Sequence, residues 1–61
     1  MDIYEFALQM EKDGEDYYRD QALNAGNKGL KNIFTFLADA EAHHYNILKK
    51  MKDREEQKRN D

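Results

Sequence analysis

Apolar residues recur along this chain at helical spacing, and one break near the middle divides the pattern in two. The chain has no proline, and the signals that stop and start helices crowd into residues 24–29, Asn-Ala-Gly-Asn-Lys-Gly. We therefore predict a helix over residues 3–23, a turn over 24–29 and a second helix over 28–57, with a charged tail at 52–61 that frays. The predicted fold class is all-α, an antiparallel two-helix hairpin that forms a single domain over 1–61.

The second helix carries polar residues inside its apolar seam. Alternating steps of four and three residues connect the seam positions: Leu30, Phe34, Leu37, Glu41, His44, Leu48 and Met51. A neighbouring stripe widens the apolar face, as a bundle helix with two neighbours requires: Ile33, Phe36, Ala40 and Ile47. Glu41 and His44 are therefore predicted to face the interior of a bundle.

The first helix shows the same anomaly. Asp2 can cap its start, with Glu5 three residues on as the capping-box partner. Farther along, Glu11 lies in an apolar stripe between Ala7 and Gly14. A glycine inside a helix destabilises it by about 1 kcal/mol relative to alanine. We expect these small neighbours to leave room for the carboxylate and whatever it binds.

Folding the hairpin about Gly26 brings the anomalous residues to one level. Glu11 lies fifteen residues before Gly26 and Glu41 fifteen after it, so at roughly 1.5 Å of rise per residue both reach the same height. His44 is less than one turn farther. Two carboxylates and an imidazole in an apolar interior are costly unless something neutralises them. We predict a transition metal with oxygen and nitrogen ligands at this level.

Composition excludes several kinds of site and partner. With 61 residues and no cysteine, the chain is short for a stable core and has neither disulfides nor a thiolate metal site. Its net charge of −3 comes from interspersed charges of both signs, which predicts a solvated surface and no nucleic-acid partner. No apolar run is long enough for a membrane span or a signal peptide, so we predict no membrane partner and a cytoplasmic location.

A homodimer would supply what one hairpin lacks. A second copy adds another Glu11, Glu41 and His44, for a total of four carboxylates and two imidazoles. This is the ligand set of the di-iron carboxylate bundles. The predicted cofactor is two iron ions per dimer, with manganese or zinc as substitutes, because affinity alone does not select among divalent metals.

The stretches that carry these residues resemble the rubrerythrin branch of the ferritin-like superfamily. They run from Met10 to Tyr18, MEKDGEDYY, and from Leu37 to His44, LADAEAHH. The resemblance implies a ferritin-like four-helix bundle and four roles: Glu11 as the ligand from helix one, Glu41 as the bridging carboxylate, His44 as the terminal imidazole and Tyr18 as a tyrosine that supports the metal site.

With one helix pair instead of two, the chain is similar to the encapsulated ferritins, whose short chains build a ferroxidase site between two copies. This resemblance implies oxidation of Fe(II) to Fe(III) for iron handling or storage. It also implies a homodimer or larger homo-oligomer, with an encapsulin shell as partner and compartment. Two alternatives stay open: a rubrerythrin-like peroxide-reducing di-iron domain, and a metal-free dimerisation module of a larger protein.

Two nearby residues are left outside the predicted ligand set. Glu15, one turn beyond Glu11, is interpreted as a solvated residue rather than an entry ligand for cations. His43 lies one position off the seam and is expected to flank it as a partly buried residue.

Overall fold

The computed structural model describes residues 2–60, and over that range the chain is a hairpin of two helices. Helix α1 spans Ile3–Asn24 and helix α2 spans Lys28–Asn60. The two helices pack against each other, which confirms the predicted all-α hairpin. Helix α1 ends one residue later than predicted and α2 continues beyond residue 57. Asp61, the end of the predicted charged tail, lies outside the described residues.

The start of α1 is held by its predicted cap. The Asp2 side chain accepts a hydrogen bond from the Glu5 backbone N–H at 2.8 Å, and this bond lowers the pKa of the Asp2 carboxyl. The Glu5 carboxylate lies 3.5 Å from Lys52 Nζ on the other helix. Within residues 2–60 it makes no return bond to the Asp2 N–H, so the expected capping box is only half formed.

The turn between the helices is shorter than predicted because Asn27 caps α2. Its side chain accepts a hydrogen bond from the Leu30 N–H at 2.8 Å. At the other side of the turn, the Ala25 N–H donates to the Ala22 carbonyl at 3.4 Å and closes α1. No glycine among the described residues adopts a positive φ, so Gly26 turns the chain without the left-handed conformation.

The core of a single hairpin is thin. Among the described residues its buried apolar side chains are Leu8, Ala22 and Ala38. The Tyr18 ring stacks on Phe34 at 6.3 Å between centroids and connects the two helices. Such a small core buries less apolar surface than a stable domain of this length requires.

Large apolar side chains remain exposed on one face of the hairpin. On α1 they form a row spaced by seven residues, Ile3, Met10 and Tyr17, and on α2 Leu30 and Met51 belong to a similar row, with Ile33 beside it. The α2 row includes His44, and the α1 row is next to Gly14, so both border the predicted site. We call this surface the apolar face: Ile3, Met10, Tyr17, Leu30, Ile33 and Met51.

Neither helix, as far as residues 2–60 show, combines the length and apolarity needed to cross a membrane. The polar residues that surround each apolar row account for this result.

Candidate metal centre

The structure brings the three predicted ligands together. Glu11 comes from α1, while Glu41 and His44 lie one turn apart on α2. Each offers one ligand atom, and the three atoms lie within 4.8 Å of one another. The equal heights expected from the position of the turn therefore bring the side chains close to one another, and their rotamers direct them toward a shared point.

One carboxylate oxygen of this cluster is shielded from solvent and is left without a hydrogen bond. Glu11 Oε2 is buried, and it has no hydrogen-bond partner among residues 2–60. His44 Nδ1 lies 3.3 Å from it without forming a hydrogen bond. An unsatisfied buried acceptor is expensive, and for a carboxylate the penalty is larger still. The donor set of two carboxylates and an imidazole would satisfy it by sharing a cation.

The two carboxyl groups of the cluster also compete for a proton. The neighbouring Glu11 carboxyl is the main cause of a raised pKa for the Glu41 carboxyl, burial raises this pKa further, and His44 acts in the opposite direction. A carboxyl whose pKa is raised holds its proton more tightly than an ordinary glutamate does, and a metal ion competes with that proton because ligation requires the ionised form. The residues present therefore fit a metal with hard oxygen and imidazole ligands.

The small residue beside Glu11 serves a different side chain from the one expected. A Cβ atom added to Gly14 would lie 2.9 Å from Oε2 of Glu41, which reaches across from α2. The space at Gly14 is therefore filled by the second helix's carboxylate. The sequence showed only that a glycine interrupts the stripe, and it did not indicate which side chain fills the space at Gly14.

Tyr18 is partly buried and its contacts are aromatic. Its ring stacks on Phe34 and meets Tyr17 edge-on at 5.5 Å between centroids. It lies seven positions after Glu11, which is roughly 10 Å along the helix axis. Its role at the site implied by the resemblance stays a prediction.

Glu15 has a partner of its own. The Arg19 guanidinium donates two hydrogen bonds to one Glu15 oxygen, at 3.0 and 2.8 Å, and reaches Asp39 on α2 at 3.0 Å. The Glu15 side chain is only 20% exposed, so it is less solvated than predicted, and among the described residues it is not part of the cluster. His43 is exposed, not partly buried as expected, and it is not part of the cluster.

A surface groove beside the cluster contains none of its three ligands. It has a volume of about 250 Å³ and is lined by Lys12, Glu15, Ala42, Tyr45 and Asn46. Like the cluster, the groove is lined by residues of both helices. The groove is therefore a feature separate from the candidate metal centre.

A hairpin that brings one glutamate from α1 and a Glu-x-x-His pair from α2 to one point supplies half of the ligand set of the di-metal ferritin-like bundles. The family model described as Rubrerythrin matches residues 2–61. The chain belongs to the rubrerythrin family, whose domains bind di-iron sites. No curated protein and no solved structure matches the chain. The likeness to the encapsulated ferritins stays a prediction.

Proposed function

We propose that this chain is a ferroxidase that oxidises Fe(II) to Fe(III) at a di-iron site shared between two copies. The observation that carries the proposal is the Glu11, Glu41 and His44 cluster with its unsatisfied Glu11 oxygen. Two oxygen donors and an imidazole suit iron, and bound iron supplies electrons that O2 or peroxide can accept. Manganese or zinc can occupy the same donor set, so the native metal has to be measured.

Each side chain has a part that follows from its position. The partly buried carboxylates of Glu11 and Glu41 provide the negative charge that draws Fe(II) between the helices, and both would bind the metal in their ionised forms. His44 binds as a neutral imidazole and approaches from the apolar face, where it is half exposed. The three ligands sit on helices, which hold them more rigidly than loops would.

A second copy of the chain is part of this proposal. One hairpin offers two carboxylates and one imidazole, too few to hold two irons. The apolar face borders the cluster, and a two-fold partner laid on it would cover those side chains and bring its own three ligands. A cation shared by both chains would also satisfy the buried Glu11 oxygen. A homodimer that closes a four-helix bundle is the simplest assembly that meets all three needs.

Peroxide reduction is a second candidate, because membership of the rubrerythrin family is equally compatible with it. The chain has no cysteine, so it contains no thiolate-ligated electron-transfer centre of its own. Such an activity would need an external electron donor. Following peroxide and O2 consumption separately, with and without an added reductant, distinguishes the two activities.

The test of the site uses pairs of matched variants. Glu11→Gln should lose Fe(II) binding and fast Fe(II) oxidation, whereas Glu15→Gln, one turn along the same helix, should keep both. His44→Ala and its neighbour His43→Ala form a second pair with the same expectation. Bound iron per chain and the rate of Fe(III) formation are the measurements. Normal iron binding in Glu11→Gln and His44→Ala would overturn the proposed site.

A further inference from the structure

The backbone conformation at position 14 does not require a glycine. Gly14 lies inside α1 with a negative φ that any residue can adopt. A glycine at such a position weakens a helix relative to alanine, because its backbone loses more freedom on folding. Something other than backbone geometry must therefore account for the missing side chain.

The atoms next to Gly14 explain why a side chain is absent there. A Cβ atom there would lie 2.9 Å from Oε2, 3.2 Å from Cδ and 3.5 Å from Cγ of Glu41. The other glycines differ, since a Cβ at Gly26 meets nothing within 4 Å and one at Gly29 meets only an Asn27 oxygen at 3.4 Å. Among the three glycines of the chain, Gly14 alone makes room for a side chain of the metal cluster.

We propose that Gly14 is a positioning residue that lets the Glu41 carboxylate cross to α1 and lie beside Glu11. The inference rests on the proposed function in that the carboxylate it positions is taken to be a metal ligand. Gly14 itself offers no ligand. It acts by omitting the methyl group that would displace the Glu41 carboxylate from the point it shares with Glu11 and His44.

The closest atom is at the far end of a flexible side chain, and this decides how an alanine would act. The Glu41 carboxylate can swing away without moving either backbone, so the fold tolerates the methyl group. The helix gains from the substitution while the metal site loses its geometry. Stability of the metal-free protein and metal affinity should therefore move in opposite directions, which a purely structural glycine would not produce.

The experiment compares Gly14→Ala with Gly26→Ala in the full chain. Affinity for Zn(II), a redox-silent probe, is measured by calorimetry, and thermal unfolding is followed for the metal-free proteins. Gly14→Ala should bind Zn(II) about 10- to 100-fold more weakly, the range seen when residues that orient metal ligands are changed. Its unfolding midpoint without metal should be equal to or above that of the unmodified chain. Gly26→Ala should keep the original Zn(II) affinity.

A double-mutant cycle with Glu41→Asp tests whether the two side chains share the space. Aspartate is one methylene shorter and withdraws from Gly14, so the loss of affinity caused by Gly14→Ala should be smaller in that background. An unchanged Zn(II) affinity in Gly14→Ala, or an equal loss in both backgrounds, overturns the inference and leaves the metal site standing. Absence of Zn(II) and Fe(II) binding by the unmodified chain overturns the proposed function instead.

Discussion

Ile33 offers a direct measure of how much the apolar face contributes to pairing with a second copy. Its side chain lies on α2 and is 55% exposed in the single hairpin. Complete burial of such a side chain contributes ~1.5–3 kcal/mol, so covering the exposed half should contribute about 1 kcal/mol. A two-fold dimer contains the residue twice. Ile33→Ala should therefore weaken the dimer by about 2 kcal/mol, which is about 30-fold in Kd.

The matched control is Leu23→Ala, since Leu23 is 77% exposed but lies outside the apolar face. Both substitutions introduce a good helix former, so neither should damage the helix that carries it. Sedimentation equilibrium over a range of concentrations gives Kd for the unmodified chain and both variants. We expect Ile33→Ala to dissociate at higher concentrations than the other two. A dimer equally sensitive to both changes, or an unmodified chain that stays monomeric with and without metal, would refute the face assignment.

Three further predictions concern the cluster. The folded pKa of Glu41 is raised, so its contribution to metal-free stability is fully present below the ordinary carboxyl pKa and is lost as pH rises through the folded pKa. In urea unfolding, Glu41→Gln should therefore be more stable than the unmodified chain at pH 7 and lose that advantage near pH 4. A stability difference that stays constant with pH would contradict this prediction. Zn(II) at 100 times its Kd should stabilise the assembled state by about 2.7 kcal/mol per site and tighten the dimer, and a dimer indifferent to Zn(II) in sedimentation would contradict a shared site. Tyr18→Phe keeps the ring that stacks on Phe34 and should slow Fe(II) oxidation in stopped-flow absorbance without reducing Zn(II) affinity, whereas an unchanged rate would remove Tyr18 from the site.

The sequence was sufficient to predict the hairpin because its signals are local. The absence of proline, the cluster of turn residues around Gly26 and the cap at Asp2 each act within a few residues. The convergence of Glu11 and Glu41 was also predictable, since it needs only the helical rise and the position of the turn. Those features depend on spacing along one chain and not on how side chains meet.

Other details depend on the distance between the helices and could not be predicted. Glu5 was expected to complete a capping box, but Lys52 from the facing helix lies within 3.5 Å of its carboxylate. Gly14 was expected to make room for Glu11, and Glu41 occupies that space. The two hydrogen bonds from Arg19 to one Glu15 oxygen likewise depend on the Arg19 rotamer, which also reaches Asp39. A one-dimensional pattern identifies a small or charged residue but not the opposing atom.

The places where this hairpin gives up stability coincide with the places where the proposed chemistry occurs. Gly14 weakens α1, the carboxyls of Glu11 and Glu41 crowd one another, and the polar His44 interrupts an apolar row. A chain selected for stability alone would replace each of them with an apolar residue or alanine. All four lie at one level near the middle of the paired helices, where backbone fraying is least. That coincidence favours a bound metal over a metal-free dimerisation module, because only a ligand that neutralises the cluster offsets all of these losses at once.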